Sequence, residues 1–516
     1  MPSDRLDSWK EIAAYLNRGV RTVVRWETDE GLPVHRLHHD ERASVFAYKS
    51  ELAAWRDSRT TAVHRPTVIP AVAVLPFTAV GGDPEDEYFC DGLAEELTTA
   101  LSRVPGLKVI ARTSSFAFKN KPADVVEISR LLRVDSLVEG AVLRSANRLR
   151  VTVRLIRSAD SSSIWSERFD RASGDVFAIQ SEIAEAVTDA LHVRLLDQDR
   201  ARFAKRHTSD PAAYDLYLRG RHLLARRTPE AIDAALGYFR QSLDRSPENA
   251  LALAAIAECC CVAGFLGLRR PSEAWADARL AIDQAARLDP NLGELEAIGA
   301  YVAFAHDWNW TQAERKLSRA QELAPSYAPA ALWRSFLLAV RGRQAEAESA
   351  IARAWDLDPL SLYVQTHVGL AALWARDFDR AIARFRHILA TEPGFALAGF
   401  HLGRTCLITG RLEESIEVLS RAADSFPLAA GALAHALWTA VRREESDSAL
   451  ARLEGMSTTR YVGPMAFATA CIGRAPRRAI EWLDKSLDER EGAAILLPID
   501  PGFDPLRSVD GFERLV

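Results

Sequence analysis

A proline recurs at a fixed interval through the C-terminal half of the chain. Pro325, Pro359, Pro393 and Pro427 stand 34 residues apart, and Pro290 precedes them by 35. A period of this length predicts a stack of like units, each burying one face on its neighbour, rather than one globular core. The flanking residues keep the same register. Twelve residues before these prolines and before Pro247 stand the small residues Ala235, Ala278, Ala313, Ala347, Ala381 and Ser415. Eight before them stand the bulky apolar Phe239, Ile282, Leu317, Ile351, Phe385 and Leu419.

Two antiparallel helices approach closely only where a small side chain sits at the crossing, and a bulky one a turn later fills the groove beside it. Proline cannot continue a helix and turns the preceding residue away from helical geometry, so each unit ends there. Gly369 and Gly403, again 34 apart, take the small position of the first helix. Between Pro247 and Pro290 the period stretches to 43, and the surplus near residues 264–271 predicts a longer loop between paired helices. The pattern resembles the tetratricopeptide repeat (TPR), which implies a superhelical solenoid of about seven to eight helix pairs. The resemblance also implies a protein or peptide partner on the concave face. Tryptophans at helical spacing, such as Trp275, Trp333 and Trp374, read as packing between repeats rather than a ligand cage. Residues 499–516 read as a segment capping the last repeat.

At 516 residues the chain exceeds what one core supports, so several domains are expected. A net charge of −5 excludes nucleic-acid binding by the whole surface and leaves room for one local basic face. The six cysteines show no paired metal spacing, and three are consecutive (Cys259–Cys261), which fits core fillers in a reduced compartment. The first ten residues lack a signal-peptide pattern, and the longest apolar run, 251–268, is broken by Glu258. A cytoplasmic protein with no membrane partner is expected.

In the first sixty residues, Trp9, Ile12, Ala13 and Leu16 mark one face of a helix. A turn at Asn17-Arg18-Gly19 follows, then a second helix with Val20, Val23 and Trp26 every three residues and Arg21 and Arg25 on another face. Residues 34–37 and 44–47 predict two paired strands, and 49–59 a third helix with Leu52 and Trp55 inward. The block resembles the winged helix-turn-helix of the MerR and excisionase families in the order Trp9-Lys10-Glu11-Ile12-Ala13-Ala14-Tyr15-Leu16, Arg21-Thr22-Val23, Arg25-Trp26, Leu32-Pro33-Val34-His35-Arg36 and Leu52…Trp55. That resemblance implies binding to double-stranded operator DNA, with Arg21, Thr22 and Arg25 in the major groove. Arg18, His35, Arg36 and Arg42 would lie near the backbone, since arginine is bidentate to guanine edges or to phosphate. Residues 1–59 hold ten Lys/Arg and ten Asp/Glu, so affinity must come from a local face and must be salt-sensitive. His35, His38 and His39 have no cysteine or carboxylate set to complete a metal site, and none is expected.

After a Ser/Thr/Arg/Pro-rich linker at 60–70, helical and strand patterns interleave from 71 to 196, ending in hairpins, which predicts an α/β domain with a mixed sheet. Val72-Ala73-Val74-Leu75-Pro76-Phe77, Asp91-Gly92-Leu93, Glu95-Glu96-Leu97, Arg112-Thr113-Ser114-Ser115, Leu137-Val138-Glu139-Gly140 and Ile164-Trp165-Ser166-Glu167-Arg168-Phe169-Asp170 resemble the TolB amino-terminal-like, or FlgO-like, domain. No phosphate loop, nucleophile elbow or metalloprotease helix is present, so neither enzyme activity nor a cofactor is expected. Arg112, Thr113, Ser114 and Ser115 follow a strand and form either an anion cradle or, more simply, a loop whose hydroxyls satisfy its own backbone. Glu95, Glu96 and Glu167 read as helix-surface or ion-pair carboxylates.

The expected fold is therefore multidomain: a winged helix-turn-helix (1–59), a linker (60–70), an α/β domain (71–196), an all-α TPR solenoid (210–498) and a capping segment (499–516). This order resembles that of regulators of the CadC and HilA kind, without a membrane helix and with a different winged head. It implies a cytoplasmic transcriptional regulator whose TolB-like and TPR regions bind a partner or mediate self-association. A homodimer would read half-sites about 34 Å apart. The alternative is a TPR scaffold that uses the helix-turn-helix as a protein-contact module.

Overall fold

The computed structural model describes residues 4–16, 18–37, 44–53, 55, 69–80, 84–121, 124–145, 148–172, 176–193, 208 and 210–516. The chain forms two compact units, Met1–Ile69 and Pro70–Val516. The expected wing turn (residues 38–42, with His38, His39 and Arg42) and most of the linker lie outside the described residues.

In the first unit, Ser8 caps the helix Trp9–Tyr15 by accepting from the Glu11 amide, while Glu11 accepts from the Asp7 amide at 2.8 Å. The second helix, Val20–Glu30, ends at Gly31, whose φ of 63° suits a residue without Cβ. Strands β2 (His35–Leu37) and β3 (Ser44–Tyr48) pair antiparallel. Strand β1 (Arg5–Leu6), which the sequence pattern did not suggest, adds to the other edge of β3. Leu6, Ile12, Ala13, Val23, Leu32, Ala47 and Leu52 form the core, with Trp9, Trp26 and Trp55 around it.

Val20 departs from expectation: it is exposed, whereas Val23 is fully buried. Steps of three residues drift by about 60° per step on a helix of 3.6 residues per turn, so Val20 falls off the face that Val23 and Trp26 share.

The second unit opens with a mixed sheet. Strand β4 (Ala71–Val74) runs parallel to β6 (Lys108–Val109) and β7 (Ser136–Ser145), and β8 (Arg148–Arg157) and β9 (Ser163–Ala172) continue antiparallel. Short β5 (Thr78–Ala79) pairs with β7 further along. Helices Pro84–Ser102 and Val176–Ala190 cover one face through Leu93, Leu97, Leu101, Ile179 and Ile183. On the other face, Val125–Leu132 packs through Ile128 and Leu132 against Ala71, Ala73 and Leu137. β8 alternates buried Leu149, Val151, Val153 and Leu155 with exposed arginines, as a half-buried strand must.

From Pro211 to Asp488 run eight antiparallel helix pairs. The small residues at the crossings, Ala235, Ala278, Ala313, Ala347, Ala381 and Ser415, are all buried. Added Cβ atoms on Gly369 and Gly403 would come within 2.5 and 2.4 Å of Phe385 and Leu419, so the bulky residue of each pair rests directly on the glycine. Trp308, Gly342, Arg376 and Gly410, 34 residues apart, occupy the same left-handed turn position. The long second pair owes its surplus to helix length instead of the expected loop. Its helices Ala250–Phe265 and Pro271–Leu288 have 16 and 18 residues, against 13 and 14 in the next pair.

The last pair returns to the second. The Gly463 amide donates to Gly267 O at 3.1 Å, and the Arg490 guanidinium lies 3.7 Å from the Trp308 ring centre. Two 3-10 turns, Gly492–Leu496 and Pro501–Leu506, then enter the interior of the superhelix. Ile495, Leu497, Phe503 and Leu506 are buried there, and Arg404 holds Asp500 bidentately at 2.8 and 2.9 Å. Of the segment expected as an end cap, residues 499–516, Phe503 and Leu506 thus turn inward, while Phe512 and Leu515 share a core with Ile480 and Leu483 of the last repeat; Ile495, just ahead of it, joins the core of the first half.

Candidate functional site

On the N-terminal unit, Arg21 and Arg25 lie one turn apart on the exposed side of Val20–Glu30 and enter no hydrogen bond or ion pair among the described residues. Thr22 is half-buried beside them, and Arg18 is exposed just ahead of the helix. His35 and Arg36 are differently placed. Arg36 Nη2 donates to both Glu27 carboxylate oxygens, at 2.8 and 2.9 Å, which ties the hairpin to the last turns of the helix. His35 Nε2 meets Glu51 at 2.6 Å while its ring stacks on Phe46. Arg42 lies outside the described residues. Arg21 and Arg25 therefore share one exposed face with half-buried Thr22 beside them, while His35 and Arg36 are committed to contacts within the unit. Sequence reading missed Glu27 and Glu51 because partners nine and sixteen residues away follow no helical or strand period.

Arg112–Ser115 forms a short helix rather than a loop, with Ser114 and Ser115 fully buried. It does cradle an anion, and the anion belongs to the chain. Ser114 Oγ donates to Asp358 Oδ1 at 2.5 Å and accepts from the Leu360 amide at 2.8 Å. Burial pushes the Asp358 carboxyl up to about 6, against the lowering effect of hydrogen bonds from Ser114, Ser361 and Thr113. Arg112 pairs with buried Glu95 at 2.6 Å. The Ser114 hydroxyl thus serves the repeats rather than the backbone of its own segment.

The same junction continues along β6. Ser326 of the repeats accepts from the Val109 amide at 3.1 Å and donates to Leu107 O at 3.2 Å, and the Ala111 amide donates to Leu357 O at 2.8 Å. The α/β domain is thereby hydrogen-bonded into the repeats. A cavity of about 990 Å³ remains between helix Pro84–Ser102, the Arg112 segment and the first helices of successive pairs. Tyr217, Arg221, Arg227 and Glu258 line it. Glu258, 1% exposed, bonds Arg221 at 2.7 Å and Arg227 at 2.8 Å. Burial works to raise its pKa, but the two guanidinium groups outweigh burial and hold the carboxylate ionised. Inner-face residues of the early repeats thus line this cavity, and the α/β domain meets the repeats at their turns through Ser326, Asp358 and Leu360.

All six cysteines are buried without disulfides, and among the described residues no group of three or more His, Cys, Asp or Glu side chains is gathered as a metal set. No helix of the described residues is long and apolar enough to cross a membrane.

Residues 69–186 match the family described as HilA/YgeH-like transcriptional regulator, second domain, and residues 372–438 match the tetratricopeptide repeat. A putative adenylate cyclase 3 of Rhizobium meliloti (strain 1021) is 44% identical over 155 residues, covering 30% of this chain and 26% of that protein. The transcriptional regulator HilA of Salmonella typhimurium is 22% identical over 314 residues, covering 60% of this chain and 54% of that protein. The chain therefore spans about a quarter and about half of the length of these two relatives. Among solved structures, the APC/C hetero-tetramer Cut9–Hcn1 aligns over 67% of this chain and 63% of its own, with TM-score 0.41 and 16% identity. A thermophilic TPR protein of Thermus thermophilus aligns over 35% of this chain and 92% of its own, with TM-score 0.29 and 21% identity.

Proposed function

We propose that this chain is a cytoplasmic transcriptional regulator that binds double-stranded DNA through a winged helix-turn-helix of MerR/excisionase type. In this reading Val20–Glu30 enters the major groove, and no part of the chain is an enzyme. The observation that carries it is the pair Arg21 and Arg25, one turn apart, exposed and without partners among the described residues. Guanidinium groups so placed suit bidentate bonding to guanine edges. The match of residues 69–186 to a regulator domain, described above as TolB-like on its motifs, supports a regulatory setting. TPR repeats suggest a protein partner. That partner, or a second copy, would meet the repeat surface left open by the α/β domain and the 3-10 turns.

The test is selection of duplexes from a fragmented genomic pool by the full-length protein, followed by titration of the best fragment at two salt concentrations. Sequence-selective, salt-sensitive binding that collapses in the Arg21→Ala/Arg25→Ala double variant is the expected result. Weak, unselective binding that is unchanged by the double variant overturns it and leaves the scaffold reading, with the helix-turn-helix as a protein-contact module.

A further inference from the structure

Val20 and Val24 are 40% and 37% exposed on the helix Val20–Glu30, although buried positions for apolar residues exist on the same helix at Val23. Around a helix of 3.6 residues per turn, Val24 lies about 40° from Val20, and Arg21 and Arg25 about 100° and 140° from it. The exposed face therefore carries two adjoining stripes, apolar Val20/Val24 and cationic Arg21/Arg25, opposite buried Val23 and half-buried Trp26. Next to the valines on their other side lies Glu27, neutralised by Arg36. No uncompensated carboxylate among the described side chains of this helix faces the stripes.

We propose that Val20 and Val24 are base-reading residues that contact thymine C5-methyl groups beside guanines held by Arg21 and Arg25. The occupant of this face is the major groove of a duplex whose half-site places thymine methyls next to guanine. This rests on the DNA-binding reading above and specifies what that face reads. Three features of the groove match the face. The only apolar group on a major-groove edge is the thymine methyl, and it is read by small aliphatic contact. Guanine O6 and N7 accept the bidentate arginine pair. Valine side chains held at one χ1 rotamer in a helix keep the contact without loss of freedom.

The test uses the full-length protein and a randomised duplex pool. The best selected duplex is resynthesised with each thymine replaced in turn by deoxyuridine, which removes only the methyl. At one or two positions the uracil duplex is expected to bind about fourfold more weakly, the effect of one buried methyl-sized group. Val20→Ala and Val24→Ala, which retain good helix formers at exposed positions, are expected to bind the thymine duplex about as weakly as wild type binds its uracil counterpart and to lose the discrimination. Selective binding that is indifferent to every uracil replacement, or a thymine preference unchanged in both variants, overturns the inference while the DNA-binding reading stands. A change in oligomeric mass in the valine variants with selectivity intact also overturns it, assigning the stripe to a contact between copies. Absence of any selective duplex removes the DNA-binding reading itself, and this inference with it.

Discussion

Ser114 donates to the Asp358 carboxylate at 2.5 Å across 244 residues of sequence, joining the α/β domain to the turn of a helical repeat. The same hydroxyl accepts from the Leu360 amide, so one oxygen serves two elements of the repeats. Ser114→Ala leaves both the Asp358 carboxylate and the Leu360 amide short of a partner in a buried junction. The expected loss is about 1–3 kcal/mol of stability, read by denaturant unfolding. Ser115→Ala, a change one residue away that touches none of these bonds, should cost less; equal losses would show that the junction does not depend on this hydroxyl.

Glu491 sits 1% exposed where the last repeat returns to the second, accepting from the Met465 amide at 3.0 Å and Ser486 Oγ at 2.8 Å. Burial raises its pKa from 4.5 to about 7 despite those hydrogen bonds. A folded-state pKa above the unfolded one means that the folded chain binds the extra proton. The stability from this group is then fully present below pH 4.5 and is lost as pH rises towards 7. Glu491→Gln, which keeps the shape and does not titrate, should therefore gain on wild type over that window. The full difference above pH 7 is on the order of 3 kcal/mol. Unfolding midpoints of the two proteins at about pH 5 and pH 8 decide it, and a gap that is the same at both values would refute the assignment.

Glu258 lies between Arg221 and Arg227 on the wall of the large cavity. Glu258→Ala strands the buried Arg227 guanidinium and leaves the partly exposed Arg221 unpaired beside it, and should cost about 3–5 kcal/mol. Replacing the whole set, as Arg221→Met/Glu258→Leu/Arg227→Met, should recover most of that loss, because no unpaired charge remains. Chemical denaturation of the single and triple variants separates the two cases. A triple variant as unstable as the single one would mean that the charges do more than satisfy each other.

How much of this was legible in the sequence follows from the range of the contacts. Ala313, Ala381 and Gly403 announce the repeats because each packs within its own unit or the next, so the 34-residue period carries the information. Ser326 and Asp358 also sit beside the repeat prolines, where a serine or aspartate is explained by the local turn, and their second role at β6 and Ser114 leaves no periodic trace. Residues 492–506 were opaque for a different reason. Gly, Pro and short 3-10 turns have no amphipathic period, so the burial of Ile495 and Phe503 depends on a surface formed by distant helices. On the N-terminal unit the arginine face was legible from helical spacing. Val20 was misplaced because three-residue spacing imitates a helical face for one step only.

The Glu27–Arg36 pair links the candidate reading helix to the hairpin, with Glu27 largely buried and Arg36 half exposed. If Val20–Glu30 reads DNA, Glu27 competes with phosphate for that guanidinium. Glu27→Gln should then free Arg36, tighten binding at low salt and steepen the plot of log K against log salt by about 0.9, the increment for one further phosphate contact. Salt titrations of wild type and variant on one selected duplex measure it; parallel slopes would mean that Arg36 stays on the hairpin.

Arg404 and Asp500 form the other buried pair whose loss should be felt at a distance, since Asp500 starts the second 3-10 turn inside the superhelix. Asp500 also accepts from the Gly502 amide at 2.8 Å, and Gly502 leaves no room for a Cβ against the Arg404 guanidinium. Asp500→Ala therefore removes a charge partner and a turn cap together, and should cost about 3–5 kcal/mol. Because Phe503 and Leu506 follow directly, their release would uncover apolar surface lined by Leu397, Phe400 and Leu428. The variant should bind an apolar dye in its folded baseline, and a synthetic peptide of residues 492–516 should reverse that binding. Dye binding unchanged from wild type would show that the segment holds its place through Ile495 and Leu497 alone.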